Sequence, residues 1–139
     1  MSQENLERVE RFWKLYNRRE IDAWVEMLAP DLEWHVDPKD PDTTVHHGPE
    51  AVTRYLLMWT EIMDDTIEVR ETFEPSDDQV VAWTRLESRG GLSGASTGLD
   101  LAFIFKLRYG LVVRVQETQD KREALEAVGL SEQDARADS

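Results

Sequence analysis

The chain has 139 residues, a mass of 16.1 kDa and a formal net charge of −13. This length corresponds to one domain with a sizeable core, and the negative charge argues against nucleic acid or an anionic membrane as a partner. The absence of cysteine excludes disulfides, thiolate nucleophiles and Cys-based metal sites. Without a signal-peptide pattern or a run approaching ~20 apolar residues, we expect a cytoplasmic protein with no membrane span.

Helical spacing of apolar residues predicts two helices at the start of the chain. The first covers residues 4–17, and the second follows a short break and ends at Pro30, which cannot continue a helix. The apolar positions of the first helix are Leu6, Val9, Phe12, Trp13 and Tyr16. Those of the second are Trp24, Met27 and Leu28.

Residues 31–37 alternate between apolar and polar, which predicts a strand with Leu32, Trp34 and Val36 on one face. A loop or sheet edge rich in Asp and Pro follows. A third helix is expected to begin at Gly48-Pro49-Glu50, because Pro suits the first helical position and Glu suits the positive end of the helix dipole.

The period changes to two after residue 65 and predicts four strands, over 66–73, 80–87, 99–107 and 111–117. Asp120 then caps a short helix that closes at Gly129. We expect one domain over residues 1–130 and a polar tail over 131–139. The fold class is therefore α+β: a strongly curved, mainly antiparallel sheet closed by three N-terminal helices into a cone around a pocket.

Several strings occur in order along nearly the whole chain. They are Trp34, Gly48-Pro49-Glu50-Ala51-Val52, Ser93-Gly94, Arg108-Tyr109-Gly110 and the segment 120–130. Together they resemble the SnoaL-like polyketide cyclase family of the nuclear-transport-factor-two-like superfamily. The resemblance implies a cone fold with a deep pocket, often paired through the sheet into a homodimer. It also implies an activity drawn from a group that includes cyclases, isomerases, dehydratases and non-catalytic binding domains.

The resemblance also places the family's acid–base positions on this chain. Phe12 stands where ketosteroid isomerases have a tyrosine, and their first-strand aspartate falls near Val36. The cyclases' pocket histidine falls within 101–105, which contains no histidine. Their last-strand aspartate falls near Glu117, the one chemically similar match.

Glu117 is the candidate catalytic residue. It shares a strand face with Leu111, Val113 and Val115, so we expect it among aromatic side chains, where burial would raise its pKa and suit it to remove a proton next to a carbonyl. The alternative is a hydrated carboxylate at the end of a strand, with a structural role only.

The candidate ligand-binding residues are aromatic, and such rings commonly line an apolar pocket that carries a few polar groups. They are Phe12, Tyr16, Trp34, Tyr55, Trp59, Trp83, Phe103 and Phe105. The alternative is that they form the core only. Tyr16, Trp34 or Trp59 would donate a hydrogen bond to a developing enolate oxygen. Arg70, Arg85 and Glu87 are further polar candidates.

Other polar motifs favour neither a metal nor a cofactor. His35 is expected opposite Trp34, outside the pocket, and the adjacent His46 and His47 point apart in an extended segment. Together with Asp37, Asp40 and Asp42 they match no tight metal-ligand spacing. The glycines of 90–94 lie between strands, so they form a hairpin rather than a phosphate-binding loop.

The leading hypothesis is therefore a protein that binds a small apolar or aromatic molecule. If it is an enzyme, it performs cofactor-independent cyclisation, isomerisation or dehydration with Glu117 as the base. One alternative is a non-catalytic ligand-binding domain of the same fold, and another is a protein-interaction domain whose exposed sheet face is the working surface.

Overall fold

A computed structural model describes residues 2–36, 45–88 and 97–129. The helices are α1 (Ser2–Asn17), α2 (Ile21–Val25), α3 (Gly48–Met63) and α4 (Lys121–Ala127). The strands are β1 (Leu28–His35), β2 (Val45–His47), β3 (Asp65–Ser76), β4 (Gln79–Ser88), β5 (Thr97–Arg108) and β6 (Leu111–Thr118). None of the helices within these ranges has the length and apolar character needed to cross a membrane.

The six strands form one open, mixed sheet in the order β2-β1-β6-β5-β4-β3. Every neighbouring pair is antiparallel except β1 and β6, which run parallel. Register shifts interrupt the ladders between Val69 and Glu71 and between Lys106 and Leu107. Such shifts bend a sheet, here the long strands that face the helices. The predicted α+β class is confirmed, and the sheet does not close on itself.

The second predicted helix is shorter than expected. It ends at Val25, and β1 already begins at Leu28, so Pro30 lies within a strand and does not end a helix. The Met27 carbonyl accepts a hydrogen bond from the Val112 N–H at 2.9 Å, which draws this segment onto the sheet. Pro30 is tolerated because it falls within the irregular register between β1 and β6, where its missing N–H breaks no ladder bond.

The short strand β2 is absent from the sequence prediction. It pairs with the end of β1, where His46 lies opposite Trp34. Three residues are too few for a periodic pattern to be recognised, and they become a strand only because β1 offers a free edge. The segment 37–44, with the three aspartates named above, lies outside the described residues, as do the glycines of 90–94.

The two faces of the sheet have separate cores. Along β4, Val80 and Ala82 join the inner core beneath α1, α2 and α3, whereas Val81 and Trp83 join a smaller outer core. The outer core packs against α4 through Ala124. The inner core is dominated by aromatic rings, and several of them pack edge to face, as between Phe12 and Trp13. The inner face therefore carries the cavity described next.

Candidate functional site

A cavity of about 160 Å³ lies between the inner face of the sheet and helices α1 and α3. Its apolar wall consists of Leu56, Met63, Ile67, Leu86, Leu99 and Leu101, with the rings of Trp13, Trp59 and Phe103. Its polar lining residues are Tyr16, Tyr55, Asp65, Glu117 and Gln119. The cavity is thus a mainly apolar space with a few polar groups, the usual composition of a small-molecule site.

Glu117 lies in the wall of this cavity and is 8% exposed. Strand alternation places it on the inner face with Val115, and it lies opposite Phe103 on β5. Its Oε2 accepts a hydrogen bond from Trp34 Nε1 at 2.5 Å and another from the Tyr55 hydroxyl at 3.2 Å. Donors from β1 and α3 therefore fix the orientation of this carboxylate.

Asp65 supplies a second carboxylate, and the sequence analysis missed it. It is 3% exposed, and both of its carboxylate oxygens lie 2.9 Å from the Tyr16 hydroxyl. The same hydroxyl lies 3.0 Å from Thr60 Oγ1 on α3. The positive charge of Arg19 lies close to this carboxylate, with Nη2 at 3.7 Å from Asp65 Oδ1. The same Nη2 donates a hydrogen bond to the backbone carbonyl oxygen of Asp65 at 2.6 Å.

A sequence signal for Asp65 existed. Asp64 adopts a left-handed conformation at the end of α3, with φ of 46°, and β3 begins at the next residue. Asp65 and Ile67 are two residues apart in β3, so they share one face of the strand, and both are buried. A predicted strand that started one residue earlier would have placed this carboxylate on the inner face.

The Tyr16 phenol stays protonated over a wider pH range than an ordinary tyrosine. Burial raises its pKa, and the nearby negative charge of Asp65 adds to that rise. At neutral pH the hydroxyl is therefore a neutral donor to the Asp65 carboxylate.

The structure brings five of the nine candidate site residues together at the cavity. They are Tyr16, Tyr55, Trp59, Phe103 and Glu117. Phe12, Trp34 and Phe105 lie in the inner core without lining the cavity, although Trp34 reaches it indirectly through Glu117. Trp83 lies on the outer face, because β4 alternates and its neighbours Ala82 and Thr84 take the inner positions.

The remaining candidates lie elsewhere. His35 pairs with Glu33, its ring nitrogen 3.0 Å from the carboxylate, and His46 stacks on Tyr55 with ring centroids 4.3 Å apart. Arg85 forms ion pairs with Glu87 and Asp100 on the outer face. Arg70 is half exposed and pairs with Glu68. Within the described residues, no group of three or more potential ligand side chains is placed to hold a metal ion.

The fold and the sequence together assign the chain to a family. Residues 9–115 match the SnoaL-like domain family, SnoaL_2, over well more than half of the chain. The protein therefore belongs to this family, and the resemblance drawn from the sequence is confirmed. No protein with a curated description matches the sequence.

Solved structures with the same fold include proteins crystallised with small molecules. Bal32a, from a soil-derived mobile gene cassette, has a TM-score of 0.74 and 18% identity over 84% of this chain and 88% of its own. TerC, co-crystallised with polyporic acid, has a TM-score of 0.72 and 21% identity over 90% and 98%. RV0760c from Mycobacterium tuberculosis, in complex with estradiol-17beta-hemisuccinate, has a TM-score of 0.73 and 20% identity over 84% and 93%.

Proposed function

We propose that this protein binds a small, mainly apolar or aromatic carbonyl compound in the cavity and acts on it by cofactor-independent acid–base chemistry. Isomerisation, cyclisation and dehydration all begin with the removal of a proton from a carbon next to a carbonyl. The observation that carries the proposal is a buried carboxylate, Glu117, held in a fixed orientation at the wall of an apolar cavity.

Glu117 is the proposed base. Trp34 and Tyr55 both donate to its Oε2, so the carboxylate does not have to reorganise when a substrate enters. In an isomerisation the carboxylate takes the α-proton and the electron pair of that C–H bond forms an enolate. The same carboxyl group then returns the proton to the γ-carbon, so the compound leaves with its double bond conjugated and with no net change in atoms.

Trp59 is the proposed donor to the enolate oxygen. Of the three donors that the sequence suggested, Trp34 donates to Glu117 and Tyr16 donates to Asp65. In the described part of the chain the Trp59 indole N–H makes no hydrogen bond, and the ring lines the cavity. Trp59 follows Tyr55 by one turn of α3, which places it on the same helix face as the residue that contacts Glu117.

The volume of the cavity limits the size of the ligand. A buried apolar cavity of ~150 Å³ accommodates benzene. The cavity here is about 160 Å³, so it suits a ligand built on one six-membered ring.

The test uses cyclohex-3-enone, a one-ring ketone that becomes a conjugated enone when it isomerises, and follows the product by ultraviolet absorbance. The variant Glu117→Gln keeps an oxygen that can accept hydrogen bonds from Trp34 and Tyr55 but removes the base. We expect its rate to fall about 100-fold or more. The matched control Glu126→Gln alters an exposed carboxylate on α4 and should retain the wild-type rate.

Full activity of Glu117→Gln would remove this mechanism. If the wild-type protein binds ring ketones without converting them, the second candidate function is favoured, namely a ligand-binding domain without catalysis. One observation supports that second candidate. The Tyr16 hydroxyl is engaged by the Asp65 carboxylate, and the resemblance places Phe12 at the position of the isomerase tyrosine, so the acid–base pattern of the isomerases is incomplete.

A further inference from the structure

The Asp65 carboxylate lies at the cavity wall with fewer hydrogen bonds than a buried carboxylate can accept. It is 3% exposed, and a carboxylate has about four acceptor positions. Within the described residues only one short donor reaches its oxygens, the single Tyr16 hydroxyl, which is 2.9 Å from both. Buried polar groups normally satisfy their hydrogen-bonding capacity, so a donor from a bound molecule would complete this environment.

The two carboxylates serve different parts of the cavity. Glu117 contacts Tyr55, and the Tyr16–Asp65 pair contacts Thr60, five residues later on the same helix. At a rise of 1.5 Å per residue, these two levels lie about 7.5 Å apart along α3. A single ring with substituents on opposite carbons can therefore place one substituent near each carboxylate.

The charge around Asp65 indicates which kind of donor fits. Arg19 already places a guanidinium 3.7 Å from Asp65 Oδ1, and hydrogen bonds to the backbone carbonyl oxygens of Tyr16 and Asp65 hold that guanidinium in place. A second cation, such as a protonated amine, would be repelled by Arg19 and would have to lose its hydration shell. A neutral hydroxyl group supplies the missing donor without either cost.

We infer that Asp65 anchors the ligand, its carboxylate accepting a hydrogen bond from a neutral hydroxyl group on the ring, at the end of the cavity away from Glu117. The substrate class is thus narrowed to hydroxyl-bearing one-ring carbonyl compounds. This inference rests on the proposed function, since it requires a ligand in the cavity, but its test reads binding and needs no turnover.

The test compares two ligands of equal size, para-hydroxyacetophenone and para-methylacetophenone, by isothermal titration at neutral pH. We expect the wild-type protein to bind the hydroxyl compound about tenfold more tightly, which corresponds to about 1.4 kcal/mol. In Asp65→Leu this ratio should fall to about one, and Asp65→Asn should give an intermediate value. Glu117→Gln should lose turnover of cyclohex-3-enone and keep the tenfold ratio of affinities for the two acetophenones. The catalytic role of Glu117 and the anchoring role of Asp65 can therefore be contradicted separately.

Tyr16→Phe keeps the inference testable if Asp65→Leu does not fold. It removes the phenol that competes for the Asp65 carboxylate, so the ratio should stay at tenfold or rise. A fall of the ratio to one in Tyr16→Phe would assign the anchor to Tyr16 and overturn the inference. Equal wild-type affinities, no binding of either compound, an unchanged ratio in a folded Asp65→Leu, or tighter binding of para-(aminomethyl)acetophenone would each overturn it as well.

Discussion

The buried phenol of Tyr16 makes the stability of this protein sensitive to alkaline pH. Its pKa is raised in the folded state by burial and by the charge of Asp65, whereas in the unfolded chain it ionises near its ordinary value of about 10. The protonated Tyr16 phenol therefore contributes its full stabilisation of the folded state below about pH 10. As the pH rises further this contribution is lost, because the phenol of the unfolded chain releases its proton first. We expect the free energy of unfolding of the wild-type protein to fall more steeply above pH 10 than that of Tyr16→Phe.

The measurement is urea unfolding at a series of pH values from neutral to alkaline. Tyr109→Phe is the matched control, because Tyr109 is 96% exposed in the turn between β5 and β6. It should follow the wild-type pH dependence. Parallel curves for the wild type and Tyr16→Phe would show that the Tyr16 proton is held no more tightly in the folded protein.

At the same scale, the sequence identified Glu117 and missed Asp65 for a physical reason. Glu117 shares the inner face with Val115, as the alternation predicts, but the predicted place of Val113 on that face is wrong: a register shift at Val113 puts Val112 in the inner core instead. Asp65 lies where a helix ends in a left-handed residue and a strand begins at once, and neither periodicity covers such a junction. Trp83 illustrates a second limit, because both faces of β4 are partly buried and its sequence does not reveal which face meets the helices.

Among the elements, the junction between β2 and α3 depends on Gly48. This residue has a φ of +86°, a conformation that disfavours any side chain, and a Cβ there would meet only the Pro30 carbonyl oxygen at 3.9 Å. Since that distance is an ordinary contact, the cost of Gly48→Ala comes from the backbone alone, and we expect a loss of about 1–2 kcal/mol. Urea unfolding measures it.

Gly129→Ala is the control for this junction. Gly129, which follows α4, has a similar φ of +83°, and nothing lies within 4 Å of its Cβ position. The same backbone cost applies to Gly129, so we expect a loss of similar size, about 1–2 kcal/mol. A Gly48→Ala protein as stable as the wild type would mean that the junction adjusts without strain.

The meander of β3 to β6 was predictable because its strands alternate and its described turns, at Asp77-Asp78 and Tyr109-Gly110, carry Asp or Gly. The parallel pairing of β1 with β6 was not, because it joins segments about eighty residues apart and depends on a register that no local pattern encodes. The early start of β1 also depends on a distant partner, because the Val112 N–H can donate a hydrogen bond to the Met27 carbonyl only when β6 lies beside this segment. Local signals therefore define the elements, and distant partners decide their order in the sheet.

For the whole molecule, the family resemblance implies a homodimer that forms through the sheet, and the outer face is the one that α1, α2 and α3 leave uncovered. Helix α4 covers only part of that face, and Phe73 and Trp83 are half-buried there. Each chain carries a net charge of −13, so two copies repel each other. Salt shortens the Debye length from ~30 Å at 0.01 M to ~8 Å at 0.15 M, so added NaCl should favour the dimer.

Sedimentation equilibrium at these two salt concentrations tests the prediction, because a dimer has twice the 16.1 kDa mass of one chain. Trp83→Ser should weaken association at both concentrations, since it removes an apolar ring from the outer face. Ile62→Ser, at a position that is 55% exposed on α3, should leave association unchanged, since α3 packs on the other side of the sheet. A single 16.1 kDa species at every salt concentration would exclude the dimer, and dissociation by Ile62→Ser alone would move the interface to the helices.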